Sequence, residues 1–126
     1  MYVPSHFRVD DASELAAFMR ENAFATLVSV HDGAPFATHL PVLVDGVGAS
    51  LALSGHVARA NPQWTSLDAH DVLVMFTGPH AYVSPSCYEN PKSVPTWNYT
   101  AVHVYGRAQL VDDRGAVTLG SISTSK

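Results

Sequence analysis

The chain has 126 residues, enough for a single domain whose core buries about two-thirds of the surface of the unfolded chain. Hydrophobic residues make up 47% of the sequence and charged residues 14%, which argues against intrinsic disorder. Seven Lys and Arg against eleven Asp and Glu give a formal net charge of −4. Because no basic cluster interrupts this acidic balance, direct nucleic-acid binding is not expected.

Cysteine usage and hydropathy bear on the cellular compartment. The single cysteine, Cys87, cannot form an internal disulfide, and the chain opens without the basic and apolar regions of a signal peptide. No apolar run approaches the roughly 20 residues that span a bilayer. We therefore expect a cytoplasmic protein without membrane partners.

The first part of the chain predicts a helix followed by a β-hairpin. Residues 11–22 carry apolar side chains at helical spacing, and Asp11 stands three residues before Glu14 in a variant of the capping box. The β-branched run "ATLVSV" then ends at Asp32-Gly33, a strong hairpin signal. In the second strand, "FATHLPVLV", alternation places Phe36, Thr38, Leu40, Val42 and Val44 on one face and His39 on the other.

The middle and end of the chain add further strands. "SLALSG" predicts a strand, and residues 57–67 show helical spacing that predicts a helix beginning near Ala58. "VLVMF" and "HAYVS" predict a second hairpin turning at Gly78-Pro79, and residues 85–95 predict a long loop. The alternating residues 96–111 predict a long final strand.

These elements predict a mostly β fold. Six strands at short spacing, with one or two helices, favour an antiparallel barrel or a strongly curled sheet. A flat six-stranded sheet would leave its edges and one apolar face uncovered.

The stretch "SGHVARANPQW", residues 54–64, admits two interpretations. A helix that starts directly after a strand presents unpaired backbone N–H groups, which together with Arg59 would suit a phosphate. Alternatively, Ser54 and His56 cap the helix, Arg59 is solvated and Trp64 packs in the core. The segment alone leaves both open.

Other reactive residues give weaker signals. The seven histidines show no metal-binding spacing, and Cys87 has no partner cysteine, so we expect no metal site. His80 and His103 are unplaced candidates for a base beside a nucleophile, and no catalytic residue is identified. The proline-rich stretch "PSCYENPKSVPTWNY" could hold a flat ligand or a partner subunit, or could simply cross the barrel.

Four blocks together carry a family resemblance: "MYVPSHF", "GHVARANPQW", "VLVMFTGPHAYVSPSCY" and "ENPKSVPTWNYTAVHVYG". In this order they resemble the PaiB-type FMN-binding negative transcriptional regulators, over residues 1–111. The resemblance implies an FMN-binding split barrel, related in fold to pyridoxamine phosphate oxidases. It also implies a homodimer that holds FMN at the subunit interface.

The resemblance further implies which residues contact FMN. The phosphate would lie near Ser54, His56 and Arg59, with Asn61 supporting the turn. An arginine suits a phosphate dianion because charge-assisted hydrogen bonds to it are strong.

The flavin ring and ribityl chain would lie against a second group of residues. The strand at Thr38, His39 and Leu40 would flank them, and Trp97 and Asn98 would close the site from the second subunit. Any electron chemistry would then belong to the cofactor.

Two departures from the family pattern accompany this interpretation. Cys87 stands where members of the family have a tryptophan, which reduces one aromatic side of the site. The sequence ends in "DDRGAVTLGSISTSK", so we expect residues 1–126 to form one domain that lacks the family's C-terminal segment.

The function that the resemblance implies is that of a regulator of sporulation and protease genes. The alternative is a flavin-dependent oxidoreductase acting on a small substrate.

Overall fold

The computed structural model describes residues 1–83, 96–110 and 116–125, and for 82–83, 96–98 and 116–125 it describes the backbone. One α-helix, three short 3-10 helices and seven strands follow one another in this part of the chain. The 3-10 helices are Ser5–Phe7, Gly48–Ser50 and Pro62–Ser66. The other elements are α1 (Ala12–Glu21), β1 (Phe24–His31), β2 (Ala34–Pro41), β3 (Leu43–Asp45), β4 (Ala52–His56), β5 (Asp71–Val83), β6 (Thr96–Leu110) and β7 (Ala116–Ser125).

Helix α1 forms where the sequence predicts it. The side chain of Asp11 accepts a hydrogen bond of 3.0 Å from the backbone N–H of Glu14, which satisfies a donor that the first helical turn leaves free. Leu15 and Met19 are buried on the inner face. Near the other end, Arg20 Nη2 donates to the carbonyl oxygen of Gly46 at 2.8 Å. The helix is therefore fixed against the segment that follows β3.

The structure also confirms the predicted hairpin of β1 and β2. Asp32 and Gly33 have φ angles of 52° and 75°, the left-handed conformations that a two-residue hairpin turn requires. The strands pair in register from His31 with Ala34 to Phe24 with Pro41. Consequently Leu40 is buried while His39 is exposed, as the alternation predicts.

The strands form one antiparallel sheet in the order β2-β1-β5-β6-β7-β4-β3. The sheet curls, so that β4, next to one edge of the sheet, approaches β2, the strand at the opposite edge. A Cβ atom placed on Gly55 would lie 3.1 Å from Leu40 Cδ1 and 3.3 Å from the carbonyl oxygen of Pro41. The mostly β, antiparallel split-barrel prediction is confirmed, with seven strands described where the sequence predicts six.

The predicted hairpin at Gly78-Pro79 is wrong. β5 continues through these residues and pairs with β6 on both sides of them, with a register shift between Thr77 and His80. Gly78 is needed because a Cβ there would lie 2.4 Å from Thr100 Oγ1. The Gly-Pro pair therefore makes a bulge, which absorbs the residue that cannot pair.

The predicted helix over residues 57–67 is also wrong. The structure has only the 3-10 helix Pro62–Ser66, and residues 57–61 are not helical. Pro62 disfavours a helical conformation at Asn61 before it. Asn61 instead adopts an extended backbone, with φ of −79° and ψ of 116°, and caps the short helix.

Two further differences explain the strand count. The predicted strand of residues 36–44 is divided into β2 and β3, and between them Val42 N–H donates to Ala23 O at 2.8 Å. Residues Ala116–Ser125, for which the sequence predicts no strand, form β7 between β6 and β4.

The core lies inside the curled sheet under α1. Phe76 and Leu53 have no exposed surface, and Met19 is 1% exposed. Phe18 and Trp64 are partly buried and pack against this core. The buried apolar cluster comprises Leu15, Met19, Ala25, Leu27, Leu40, Val42, Val44, Leu51, Leu53, Val57, Leu67, Val72, Val74, Phe76, Val102, Val104 and Ala108.

Candidate functional site

Apart from Trp97 and Asn98 on β6, the residues predicted to contact FMN lie on strand β2, the end of β4 and the segment leading into the 3-10 helix Pro62–Ser66. Two direct contacts join these elements. Asn61 Nδ2 donates to Thr38 Oγ1 at 2.9 Å, and Leu40 packs beside the backbone of β4 at Gly55. Thr38 and Leu40 of β2 are thus brought to one end of the barrel with Asn61, 23 residues after Thr38, and with Ser54 of β4.

A buried glutamine that the sequence did not identify holds this end together. Gln63 has no exposed surface. Its Nε2 lies 3.2 Å from Leu27 O, 2.9 Å from Ser29 Oγ and 3.1 Å from Phe36 O. Its Oε1 accepts from the Thr38 hydroxyl at 2.5 Å. Nothing in the periodicity marks this residue, because its partners come from β1 and β2, at least 25 residues away.

Asn61 connects the short helix to strand β2. Its Oδ1 accepts from Gln63 N–H at 3.0 Å, while its Nδ2 reaches Thr38. One side chain therefore caps the 3-10 helix and ties it to the sheet. The order Asn-Pro-Gln is the one sequence signal for this arrangement, since Asn favours the capping position and Pro the first position of a helix.

Arg59 lies in a turn just before this cap, where the backbone N–H of Asn61 donates to Ala58 O at 2.8 Å. Its side chain is exposed, and its guanidinium carbon lies 5.9 Å from the centre of the Trp64 ring, within the range of a cation–π contact. The Trp64 indole N–H also donates to Arg59 O at 2.8 Å. Trp64 thus holds the Arg59 backbone and flanks its side chain, while its own ring is only half-buried against the core.

The remaining predicted residues of β2 and β4 point in different directions. His39 is exposed on the outer face, where its Nδ1 lies 3.0 Å from Thr26 Oγ1. His56 is exposed at the end of β4. Leu40 points inward and is 6% exposed. A group placed against this strand would therefore meet the imidazole of His39 on one face and Thr38 on the other.

A small apolar cavity lies beneath the site, and its volume of about 20 Å³ is room for roughly one water. Ligand sites for molecules as large as a flavin are typically of about 300–1,000 Å³. A flavin ring therefore cannot enter this cavity and could only lie outside it. The lining residues are Leu27, Leu40, Val42, Leu53, Ser54, Gly55 and Val74.

Two of the predicted contacts are described by their backbone alone. Trp97 and Asn98 pair with Tyr82 and Ala81 in the β5–β6 ladder, but their side chains lie outside the described residues. Cys87 and the loop predicted for residues 85–95 also lie outside the described residues.

His103 is the ionisable side chain with a shifted pKa in the described part of the chain. Burial lowers the pKa of its imidazole below the usual 6.5, and the positive charge of the N-terminal amine lowers it further. Its Nδ1 is buried and has no hydrogen-bond partner among the described residues. His103 lies on β6 opposite Met75 of β5.

No cluster of three or more His, Cys, Asp or Glu side chains that could hold a metal ion occurs in residues 1–83, 96–110 and 116–125. Two histidine side chains in this part of the chain, those of His31 and His39, contact hydroxyl groups. His31 Nδ1, for example, lies 2.8 Å from Ser66 Oγ and ties the β1–β2 hairpin to the short helix.

Comparison with known proteins assigns the chain to a family. Residues 1–121 match the family described as "Putative FMN-binding domain". The chain belongs to this family. The predicted cofactor, FMN, is the ligand for which the family is named, and the resemblance deduced from the sequence is confirmed.

Several curated proteins are similar to this family member. It is 48% identical over 113 residues to the Bacillus subtilis "Protease synthase and sporulation protein PAI 2", covering 89% of the chain and 54% of that protein. An uncharacterised protein of Emericella nidulans is 38% identical over 63% of the chain and 40% of its own length. The chain thus spans about half the length of these relatives.

A solved structure supports the fold. The FAD-binding protein from Mycobacterium smegmatis superposes with a TM-score of 0.62 over 91% of each chain, at 13% sequence identity. At this identity the likeness establishes the architecture alone. Within the described residues, no helix is both long and apolar enough to cross a membrane.

Proposed function

We propose that this chain binds FMN on the surface formed by β2, the end of β4 and the segment of residues 57–61. The observation that carries the proposal is the exposed Arg59, whose backbone is fixed by the Trp64 indole at the end of β4 in a member of an FMN-binding family. A guanidinium pairs well with a phosphate because it offers several donors in a planar fork. Ser54 and His56 lie on the adjacent strand end and supply further polar groups.

The flavin ring would lie against the edge of the sheet. β2 is an outer strand in the described sheet and pairs with β1 on one side. In an antiparallel edge strand, alternate N–H and C=O groups point away from the sheet. These groups near residues 38–40 suit the pyrimidine edge of an isoalloxazine, which has both acceptors and a donor.

A second copy of the chain would complete the site. The cavity is too small to enclose the flavin ring, so a ring lying on β2 needs a cover from outside, and Trp97 and Asn98 of a second subunit are proposed to supply it. Phe24 and Leu43 are 69% and 63% exposed, and such apolar surface favours association. Light scattering during size-exclusion chromatography should give the mass of a homodimer, whereas the mass of a monomer would contradict this part of the proposal.

The biological role is proposed by analogy with the relative from B. subtilis, whose name refers to protease synthesis and sporulation. We propose that the chain, in the cytoplasm, belongs to a regulator of similar processes. The net charge of −4 argues against direct binding to DNA. Regulation would then pass through a partner or through the flavin.

The phosphate contact can be tested by titrating FMN and riboflavin into the wild-type protein and Arg59→Ala, with flavin fluorescence as the readout. Arg59→Ala should weaken FMN binding by roughly 1.5–3 kcal/mol, the contribution of a hydrogen bond to a charged group. Riboflavin, which has no phosphate, should bind both proteins equally. Arg107→Ala is a matched control, since Arg107 is an exposed arginine already paired with Asp71 at 3.2 Å. An unchanged FMN affinity in Arg59→Ala would place the phosphate elsewhere.

A further inference from the structure

The side-chain amide of Gln63 can have only one orientation in its hydrogen-bond network. The carbonyl oxygens of Leu27 and Phe36 accept hydrogen bonds and cannot donate, and both lie within 3.2 Å of one terminal atom of Gln63. That atom must be the amide nitrogen. The amide oxygen of Gln63 therefore faces Thr38.

Asn61 has an equally fixed orientation. The backbone N–H of Gln63 can only donate, so the Asn61 atom that it contacts must be the amide oxygen. The amide nitrogen of Asn61 then faces Thr38 and donates to its hydroxyl oxygen at 2.9 Å.

The hydroxyl of Thr38 lies between these two amides, and their orientations determine to which group the hydroxyl donates and from which it accepts. A hydroxyl has one proton and two lone pairs. Gln63 Oε1 takes the proton, and the Asn61 amide fills one lone pair. One lone pair is left, on a half-buried side chain at the proposed site. Thr38 can therefore accept one more hydrogen bond and cannot donate one.

We propose that Thr38 is a specificity-determining residue that accepts a hydrogen bond from a donor group of the bound flavin, and that Gln63 is the positioning residue that imposes this polarity. This inference rests on the proposed FMN site and names the chemistry of one contact within it. The donor is either N3–H of the oxidised isoalloxazine ring or a ribityl hydroxyl. A ligand presenting an acceptor at this point would bring lone pair against lone pair.

Thr38 could contribute to stability alone, and two substitutions separate that possibility from the proposal. Thr38→Ser keeps the hydroxyl, and Thr38→Val keeps the shape while removing it. Thr38→Val also leaves the amides of Gln63 and Asn61 without their shared partner, so it should lower the melting temperature. Melting temperature alone therefore does not test the contact, whereas selectivity between flavins does.

The experiment measures Kd for FMN, for 3-methyl-FMN and for FMN analogues that each lack one ribityl hydroxyl, with the wild type and both variants. Thr38→Val should bind FMN about 3- to 10-fold more weakly, the effect of one neutral hydrogen bond, and Thr38→Ser should bind it like the wild type. The analogue that lacks the contacted donor should bind the wild type more weakly than FMN does, by a similar factor. Its affinity for Thr38→Val should be no lower than its affinity for the wild type. Loss with 3-methyl-FMN identifies N3–H, and loss with a deoxy analogue identifies the ribityl chain.

Other results would overturn the inference. If Thr38→Val weakens FMN and every analogue by the same factor, Thr38 is purely structural. If it leaves FMN affinity unchanged while Arg59→Ala reduces it, the site stands but Thr38 is not part of it. Should Thr38→Val fail to fold, the wild type decides alone, because equal affinity for FMN and all analogues contradicts the contact. Absence of any FMN binding to the wild type would instead overturn the proposed function itself.

Discussion

Gln63 shows how one residue can position several others without touching solvent. A buried amide is costly unless its hydrogen bonds are made, and here each polar atom of the side chain has a partner on β1 or β2. The same bonds fix the short helix against the β1–β2 hairpin. Residues near the predicted phosphate site are therefore held by the sheet through Gln63 and Asn61.

Replacing Gln63 with Leu should reduce the free energy of unfolding by about 2–4 kcal/mol, because buried polar groups on β1 and β2 lose their partner. Urea denaturation followed by tryptophan fluorescence measures this change. Gln109→Leu is the matched control, since Gln109 is exposed on β6 and its replacement should change stability by less than about 0.5 kcal/mol. Equal effects of the two substitutions would contradict the role assigned to Gln63.

His103 predicts a pH dependence of stability. Its pKa is lowered in the folded protein by burial and by the N-terminal amine, so between the folded pKa and the usual 6.5 the unfolded chain binds more protons. Stability must then rise with pH in that window. Above pH 6.5, neutral His103 should leave the free energy of unfolding at its full value. As the pH falls from 6.5 through the pKa of His103 in the folded protein, this free energy should decrease.

The measurement is the urea midpoint of the wild type and His103→Gln between pH 5 and pH 8. The wild type should lose stability on acidification more steeply than His103→Gln, because glutamine does not titrate. His70→Gln, at an exposed position, should follow the wild type. Parallel curves for wild type and His103→Gln would show that His103 does not carry the effect.

Among single residues, the sequence predicted several members of the candidate site. Asn61 and Thr38 were predicted as FMN contacts through the family resemblance, and the structure joins them by a hydrogen bond. The periodicity gave no indication of Gln63, because a polar residue becomes buried here only through partners that are distant in sequence.

Elements defined by local chemistry were predicted well. The Asp11 cap and the Asp32-Gly33 turn act within a few residues, so their signals are complete in the sequence. Gly78-Pro79 has the same composition as a turn, yet it makes a bulge because β6 pairs with β5 on both sides of it. β7 was not predicted, since Val117, Leu119 and Ile122 are dispersed among Gly, Ser and Thr, and its neighbour β4 is some sixty residues away.

Gly78→Ala tests the bulge. The new Cβ would lie 2.4 Å from Thr100 Oγ1 and 2.8 Å from Phe18 Cε2, so one of these side chains must move. We expect a loss of about 1–3 kcal/mol of unfolding free energy, typical of overpacking, measured by thermal or urea denaturation. Removing the nearest obstacle in Gly78→Ala/Thr100→Ala should restore part of it. A double variant no more stable than Gly78→Ala would show that the Thr100 contact is not the cause.

In the whole molecule, the curled sheet brings together β2 and β4, two strands that are close in the chain but lie near opposite edges of the sheet. β2 comes from the N-terminal hairpin, whereas β4 is reached through β3, and Gly55 permits their close approach. The fold is shared with a flavin-binding protein at only 13% identity. Architecture thus persists through extensive sequence change, while the side chains at the site set what is bound.

We propose above that FMN binds at the end of the barrel where β2, β4 and residues 57–61 meet. The most direct measurement is a titration of FMN into ¹⁵N-labelled protein, followed by the chemical shifts of assigned backbone amides. We predict saturable shifts concentrated at residues 38–40 and 54–61, with α1 unaffected. Saturable shifts centred on another surface, or no shifts at a concentration of FMN well above that of the protein, would contradict the claim.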